Sequence, residues 1–320
     1  MFTAYRIEGG SLVRIDDSNM AGLAWIDLLK PTREEELRVE ELIGAGVPTL
    51  EEMSEIEPSS RLYVEHGARF LTATMLCHTD LGTPKTTAVT FILRPDVLVT
   101  VRYDEPRPFA LFCARAAKPK ALEGPPGEAV LNGLLDTVID RIADILEKVG
   151  EEIDQVSAVV FDAKNEDHTP SYKEDLRTLG KKGDLVSKAR ESLVSLARLL
   201  LYLSAEIEGA KPNKESRAII KTMQRDVESL AQHASYLAAK IQFILDAVLG
   251  MVSIEQNNII KIFAVLSVVL MPPTLVASVY GMNFRVMPEL EWTYGYPLAV
   301  ALMLLAGALP YVLFKVKRWL

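Results

Sequence analysis

The sequence predicts an α+β soluble domain, a mixed sheet with flanking helices, joined by a very long helix to two C-terminal membrane-spanning helices. Three observations predict this. Short runs rich in β-branched and aromatic residues recur up to about residue 120 and then cease. From Lys214 to Leu270 there is no proline, and Gly250 is the only glycine. Two apolar runs, Ile259 to Tyr280 and Tyr296 to Phe314, are each long enough to cross a bilayer, which takes about 20 residues.

Composition narrows the function classes. The chain has 320 residues and a net charge of −8, so a nucleic-acid partner has no electrostatic support. The acidic residues lie mostly before residue 257. Cys77 and Cys113 are too few for a disulfide framework and are not spaced for a metal, so both read as reduced core residues. The opening MFTAYRIEGG lacks a charged stretch followed by an apolar one, the pattern of a secretory leader, so the soluble part is expected in the cytoplasm. There is no Gly-rich phosphate loop and no Gly-x-Ser-x-Gly, and nothing points to an enzyme.

In order, the strand candidates are Phe2 to Ile7, Leu23 to Leu29, Arg69 to Leu76, Thr87 to Leu93 and Val97 to Arg102. Thr32 can cap a helix whose first turn, Glu34-Glu35-Glu36, suits the positive end of the helix dipole. Leu50 to Met53 begins a short helix, and Arg107 to Ala117 is helical after the last strand. The domain is taken as 1–123. Gly124-Pro125-Pro126-Gly127 marks its end, and 124–211 is an antiparallel helical pair. In the first helix Val130, Leu134, Val138, Ile142, Ile145, Val149, Ile153 and Val156 recur at helical spacing. Asn165 to Ser171 is a polar turn, the second helix runs from Tyr172 to Glu208, and Pro212-Asn213 breaks it. The stalk helix, 212–258, continues into the first span, 259–280, and by Tyr280 approaches about 100 Å at ~1.5 Å per residue. A helix that long needs partners along its length.

An external loop, 281–295, precedes the second span, 296–314, and a basic tail, 315–320. Lys315, Lys317 and Arg318 follow the second span, whereas the loop sets Arg285 against Glu289 and Glu291. By the positive-inside rule the C-terminus is cytoplasmic and the loop external. Tyr280, Trp292, Tyr294, Tyr296 and Trp319 sit where interfacial aromatics belong.

A heptad seam through Asn257 passes Asp246, Gly250, Ser253, Asn257, Ile260, Ala264, Ser267, Met271, Thr274 and Ser278, alternately four and three apart. So many polar or small side chains do not suit lipid. They suit either the water-filled axis of a symmetric bundle or a small-residue packing seam, and spacing alone does not choose. Two spans cannot enclose a path, so conduction requires a homo-oligomer with cyclic symmetry. Each seam residue then becomes a ring: Asp246 a carboxylate ring at the internal end; Asn257, Ser267 and Thr274 neutral hydrogen-bonding rings; Ile260 and Met271 apolar constrictions; Asn283 a ring of amide oxygens at the external mouth. Oxygen ligands without Cys or His point to a hard, hydrated cation such as Mg²⁺.

Tyr280-Gly281-Met282-Asn283-Phe284, followed by Met287-Pro288-Glu289-Leu290, Trp292 and Gly295-Tyr296-Pro297, resembles the CorA family of magnesium channels, as does Ile254-Glu255-Gln256-Asn257 upstream. The resemblance implies a homopentameric funnel in the bacterial inner membrane with both termini cytoplasmic. It implies passive Mg²⁺ influx down the membrane potential, with Co²⁺ and Ni²⁺ also permeant. By position, Gly281, Met282 and Asn283 become the selectivity filter, Glu289 a residue of the external loop, Asn257, Met271 and Thr274 pore-lining residues, and Asp246 an inner acidic ring. The family also has regulatory Mg²⁺ sites between cytoplasmic domains, through which internal Mg²⁺ favours the closed state. At one such position this chain has Thr222, not an acid; Asp226, one turn on, is the substitute, and Asp80 the facing ligand.

Cys77-His78-Thr79-Asp80 reads as a strand end and turn, because adjacent strand residues point to opposite faces. His66, His168 and His233 are isolated. The rival readings are a Zn²⁺ transporter of the ZntB type, proton-coupled or not, which shares Gly-Met-Asn, and a two-span membrane sensor, for which the loop is short and no output module is visible.

Overall fold

The computed structural model describes residues 1–15, 22–161, 172–209, 214–283, 285, 287–288 and 291–317. The polar turn at Asn165 to Ser171, the break at Pro212-Asn213, and Glu289, Leu290 and Trp319 lie outside the described residues. The chain forms two compact units, Met1–Leu245 and Asp246–Leu320.

The first unit is built on seven strands: β1 (Phe2–Glu8), β2 (Ser11–Ile15), β3 (Leu23–Leu29), β4 (Leu62–Glu65), β5 (Ala68–Cys77), β6 (Lys85–Leu93) and β7 (Leu98–Arg102). Their order is β2-β1-β3-β7-β6-β5-β4. Only the central β3–β7 pair is parallel. The five expected strands are present within a residue or two of their bounds. Two more, β2 and β4, are only five and four residues long and are fixed by pairing along β1 and β5.

Both faces of the sheet are covered. On one face Ile26, Leu28, Phe70, Ile92, Val99 and Val101 pack with Val39 and Ile43 of α1 (Arg33–Ile43) and Met53 of α2 (Leu50–Met53). As expected, Thr32 caps α1: its hydroxyl accepts from the Glu35 amide while Glu35 accepts from the Thr32 amide, the reciprocal capping box. A one-turn α3 (Pro58–Arg61) leads into β4. On the other face Trp25 stacks on Tyr5 at 4.7 Å and meets Phe109 and Phe112 of α4 (Arg107–Ala116).

Helix α5 (Pro126–Phe161) packs on β3, β6 and β7, and α6 (Tyr172–Gly209) packs on β5 and β6. The Pro-Gly run therefore ends the strands without ending the unit: the helical pair shares the sheet's core. The first part of α7 (Lys214–Tyr280) closes over this pair, burying Ile220, Met223, Val227, Ala234, Leu237, Ile241 and Ile244 at steps of three, four or seven residues, which keep them on one face. Gln224 donates to the Leu200 carbonyl of α6 at 3.1 Å, and Ser216 to Glu128 of α5 at 3.2 Å.

One polar cluster lies inside the first unit. The Asp27 carboxylate accepts from Arg102 Nε at 3.0 Å and Nη2 at 2.7 Å, and from Thr100 at 2.7 Å. Trp25 Nε1 donates to the same Thr100 oxygen at 3.0 Å, and Arg102 Nη1 to the Asp104 carbonyl at 2.9 Å. A bidentate pair with its remaining groups satisfied is the form in which a buried charge is tolerated.

The second unit contains the rest of α7 and α8 (Gly295–Val316). Each helix has an apolar window with mean hydropathy of 2.2 and 2.1, of which 0% and 6% is buried. A core helix of a soluble protein hides such a window; these two expose it, as lipid-facing helices do. α7 runs through Pro272 and Pro273. Pro273 lacks the N–H that would bond to the Val269 carbonyl. At that point α8 comes close: a Cβ on Gly307 would lie 3.3 Å from both Val269 O and Pro273 Cγ. Glycine at this position lets the α8 backbone approach the freed carbonyl, the small-residue contact of membrane helices.

Candidate functional site

The seam lies within the second unit, and every one of its positions from Asp246 to Ser278 is exposed. The half-covered positions of α7 over the spanning segment are Val265, Val269, Pro272, Pro273, Val276 and Tyr280. Val269 lies two residues before Met271, and Val276 two after Thr274, or about 200° around a helix of 3.6 residues per turn. α8 therefore packs on the side of α7 away from the seam and leaves the polar face uncovered.

The seam hydroxyls have a defined orientation. Ser253 donates to the Leu249 carbonyl at 3.0 Å, Ser267 to Phe263 at 2.7 Å and Thr274 to Leu270 at 2.7 Å. Each hydroxyl hydrogen is thus committed to the helix's own backbone, and the oxygen lone pairs are left as acceptors. With Asn257, which is also exposed, they form a row of acceptor oxygens interrupted by Ile260 (63% exposed) and Met271 (71%). Such a row suits the water shell of a cation, whose hydrogens point outward.

The helix ends at Tyr280. The Gly281 amide bonds to the Ala277 carbonyl at 2.9 Å, and that of Met282 to Val279 at 3.3 Å. A Cβ on Gly281 would sit 3.1 Å from the Ala277 oxygen, so the tight last turn favours glycine. Gly281, Met282 and Asn283 are all exposed just beyond this turn. Trp292 and Tyr294 meet edge to face at 6.1 Å, and with Tyr296 are 53%, 67% and 82% exposed, as interfacial aromatics require.

The residues named for metal regulation are in a different condition. Asp226 and Thr222 are exposed on α7, and the Thr222 hydroxyl donates to the Ala218 carbonyl at 3.1 Å. Asp80 is held by two guanidiniums, Arg107 at 2.5 Å and Arg141 at 2.8 Å, one on each carboxylate oxygen. The hydrogen bond from Arg107, with the charge of Arg141 beside it, holds the Asp80 carboxyl below the usual Asp range. A metal ion would have to displace both arginines to use this carboxylate. Among the described residues no group of three or more His, Cys, Asp or Glu is placed to hold a metal. Cys77 ends β5, with burial pushing its thiol up to about 11, and the following 3-10 turn, Thr79–Leu81, carries Asp80. Cys77 is buried as expected, but Cys113 is only half-buried, beside the Tyr5 hydroxyl at 3.8 Å.

Sequence reasoning missed Gly307 and the arginines on Asp80. A glycine in mid-span opposite a proline pair was a readable sign of close helix approach. Nothing in the sequence paired Asp80 with residues 27 and 61 positions away.

Comparison with known proteins bears on the whole chain. The family described as CorA-like Mg²⁺ transporter protein matches residues 20–318. The magnesium transport protein CorA of Escherichia coli strain K12 is 36% identical over 325 residues, with all of both chains covered. That of Salmonella typhimurium strain LT2 is 35% identical with the same coverage. Among solved structures, the CorA magnesium transporter from Methanocaldococcus jannaschii superposes with a TM-score of 0.78 at 18% identity, covering 100% of this chain and 99% of that one. At that identity the superposition speaks for the fold alone.

Proposed function

Because the chain belongs to the CorA-like Mg²⁺ transporter family, we propose that it carries Mg²⁺ across a membrane, with the seam of α7 lining the path. The path is closed by copies of the chain around a common axis, in a homopentamer, with α8 on the lipid side. The observation that carries this reading is that α8 covers the far side of α7 and leaves the acceptor oxygens of Asn257, Ser267 and Thr274 uncovered. Gly281, Met282 and Asn283 form the external filter, and Glu289 belongs to the external loop. Asn283 presents its amide oxygen to the hydrated ion. Ile260 and Met271 narrow the path, Ala264 and Ser278 keep it wide, and Asp246 attracts cations at the inner end.

Transport is passive. A divalent ion gains about 4.6 kcal/mol per 100 mV, twice the single-charge figure. Co²⁺ and Ni²⁺, similar in charge and hydration, are further permeant ions. The protein sits in the bacterial inner membrane with both termini in the cytoplasm, where the basic tail favours the inner leaflet. Internal Mg²⁺ favours the closed state. Asp226, exposed and with its carboxylate on the stalk, is the better placed ligand for this, since Asp80 must first release Arg107 and Arg141.

Flux into liposomes containing the purified protein, with Mg²⁺, Zn²⁺ and the proton gradient varied separately, tests the reading. Mg²⁺ uptake independent of pH is expected, and Asn283→Ala should reduce it by roughly tenfold or more, the scale of losing hydrogen bonds to a charged species. Proton-dependent Zn²⁺ uptake without Mg²⁺ flux would favour the zinc reading instead. Mg²⁺ current unaffected by millimolar internal Mg²⁺ would remove the regulatory part.

A further inference from the structure

A basic hollow lies in the first unit, at the edge of the sheet. β4 pairs with β5 only as far as Leu62 opposite Leu71, so the following β5 residues present an open edge. α6 covers that edge, and the Thr74 amide donates to Ser195 Oγ at 2.9 Å. Between this edge, α3 and α6 is a cavity of about 540 Å³ lined by Arg61, Arg190 and Arg198 with a single carboxylate, Glu191. In a chain of net charge −8 this is a local concentration of positive charge.

The arginines divide into one fixed and two open. Arg61 is anchored by Nε to the Glu55 carbonyl at 2.6 Å and by Nη1 to Thr74 Oγ1 at 3.0 Å. Burial, and repulsion from Arg198, lower its pKa, although Glu191 acts the other way. Arg190 and Arg198 are exposed on the same side of α6 and make no hydrogen bond or ion pair among the described residues. Eight residues separate them, about 12 Å along the helix. Guanidinium forks match phosphate oxygens in geometry, and a concave wall focuses their field. Cations spread over that length suit a chain of phosphoryl groups better than a single one. Ile56 (86% exposed), Leu62 and Val194 give the cavity an apolar side, where an aromatic base could lie. The volume is within the range of small-ligand sites.

We infer that this hollow binds a nucleoside polyphosphate, with Arg61, Arg190 and Arg198 on the phosphates and Ile56, Leu62 and Val194 against the base. The site is independent of how the seam is used. Calorimetric titration of the full-length protein in detergent, in buffer freed of divalent cations, tests it with adenosine triphosphate, tripolyphosphate and inorganic phosphate as probes. Saturable binding of adenosine triphosphate is expected, stronger than that of tripolyphosphate and much stronger than that of phosphate. The double variant Arg190→Ala/Arg198→Ala removes only exposed side chains and should weaken it by roughly tenfold or more. Arg177→Ala, also exposed on α6 but outside the cavity, should leave it unchanged. Binding of tripolyphosphate as tight as that of the nucleotide would overturn the base contact. Absence of nucleotide binding, or an equal loss in Arg177→Ala, would overturn the site.

Discussion

In Met1–Leu245 a buried cluster of charged and polar groups is matched within itself, whereas in Asp246–Leu320 polar and large apolar side chains alike face outward. Asp27, Thr100 and Arg102 are at most 8% exposed and complete each other's hydrogen bonds. Ile260, Phe263, Met271 and Leu275 are 63–71% exposed beside the seam's hydroxyls. The first unit completes this cluster within one chain, although among the described residues Ser192 Oγ is buried there without a hydrogen-bond partner. The second unit has no such closure: its large apolar side chains and the hydroxyls of the seam are both left open. The contrast teaches that the same helix, α7, can be an ordinary core helix at one end and an incomplete structure at the other, with the change set by what its side chains lack.

The comparison can be broken at its matched end first. Arg102→Ala leaves the Asp27 carboxylate buried without its partner and should destabilise the first unit by about 3–5 kcal/mol. Urea denaturation followed by circular dichroism measures this. An unchanged midpoint would mean that the cluster is not what holds the sheet's centre. At the other end, Gly307→Leu forces a side chain between α8 and the Val269–Pro273 turn, with a cost of about 1–3 kcal/mol for overpacking. Thermal dissociation or unfolding in detergent should shift for this variant while the urea midpoint of the first unit stays put. A shift in both would contradict the separation of the units.

The smallest effect sharpens the contrast by pH. Asp80 titrates below the usual Asp range because Arg107 and Arg141 hold its charged form. Its folded pKa lies below its unfolded one, so its contribution is full above the ordinary Asp range and is lost as pH falls through the folded value. The side chain is 49% exposed, so the contribution is modest. The acid limb of the first unit's stability should be slightly shallower in Asp80→Asn than in the unaltered protein. Identical limbs would show that the two arginines do not bias this carboxylate.

The parts of this protein that were legible in the sequence are those whose cause is local. The Thr32 capping box needs only four adjacent residues, the seam only a repeat along one helix, and the spans only their length and apolarity. What was not legible depends on residues far apart meeting. Ser11–Ile15 and Leu62–Glu65 become strands because β1 and β5 offer them edges. Asp27 and Arg102 are 75 residues apart, and nothing near either announces the other. The arginines on Asp80 were hidden for the same reason, which is why it could be taken for a free carboxylate.

The commitment of the Ser253, Ser267 and Thr274 hydrogens to their own helix has an electrical consequence. Coupling an ion to a returning proton needs a titrating group that holds the proton when the ion is absent and gives it up when the ion binds. Between Asp246 and Asn283 the seam has no acid or base, and these hydroxyls are pinned. An ion crossing here would return no proton, so each passage would be electrogenic by two full charges. Integrated current divided by ions moved should therefore give two elementary charges, and uptake would collapse the very voltage that drives it unless the cell pumps charge back.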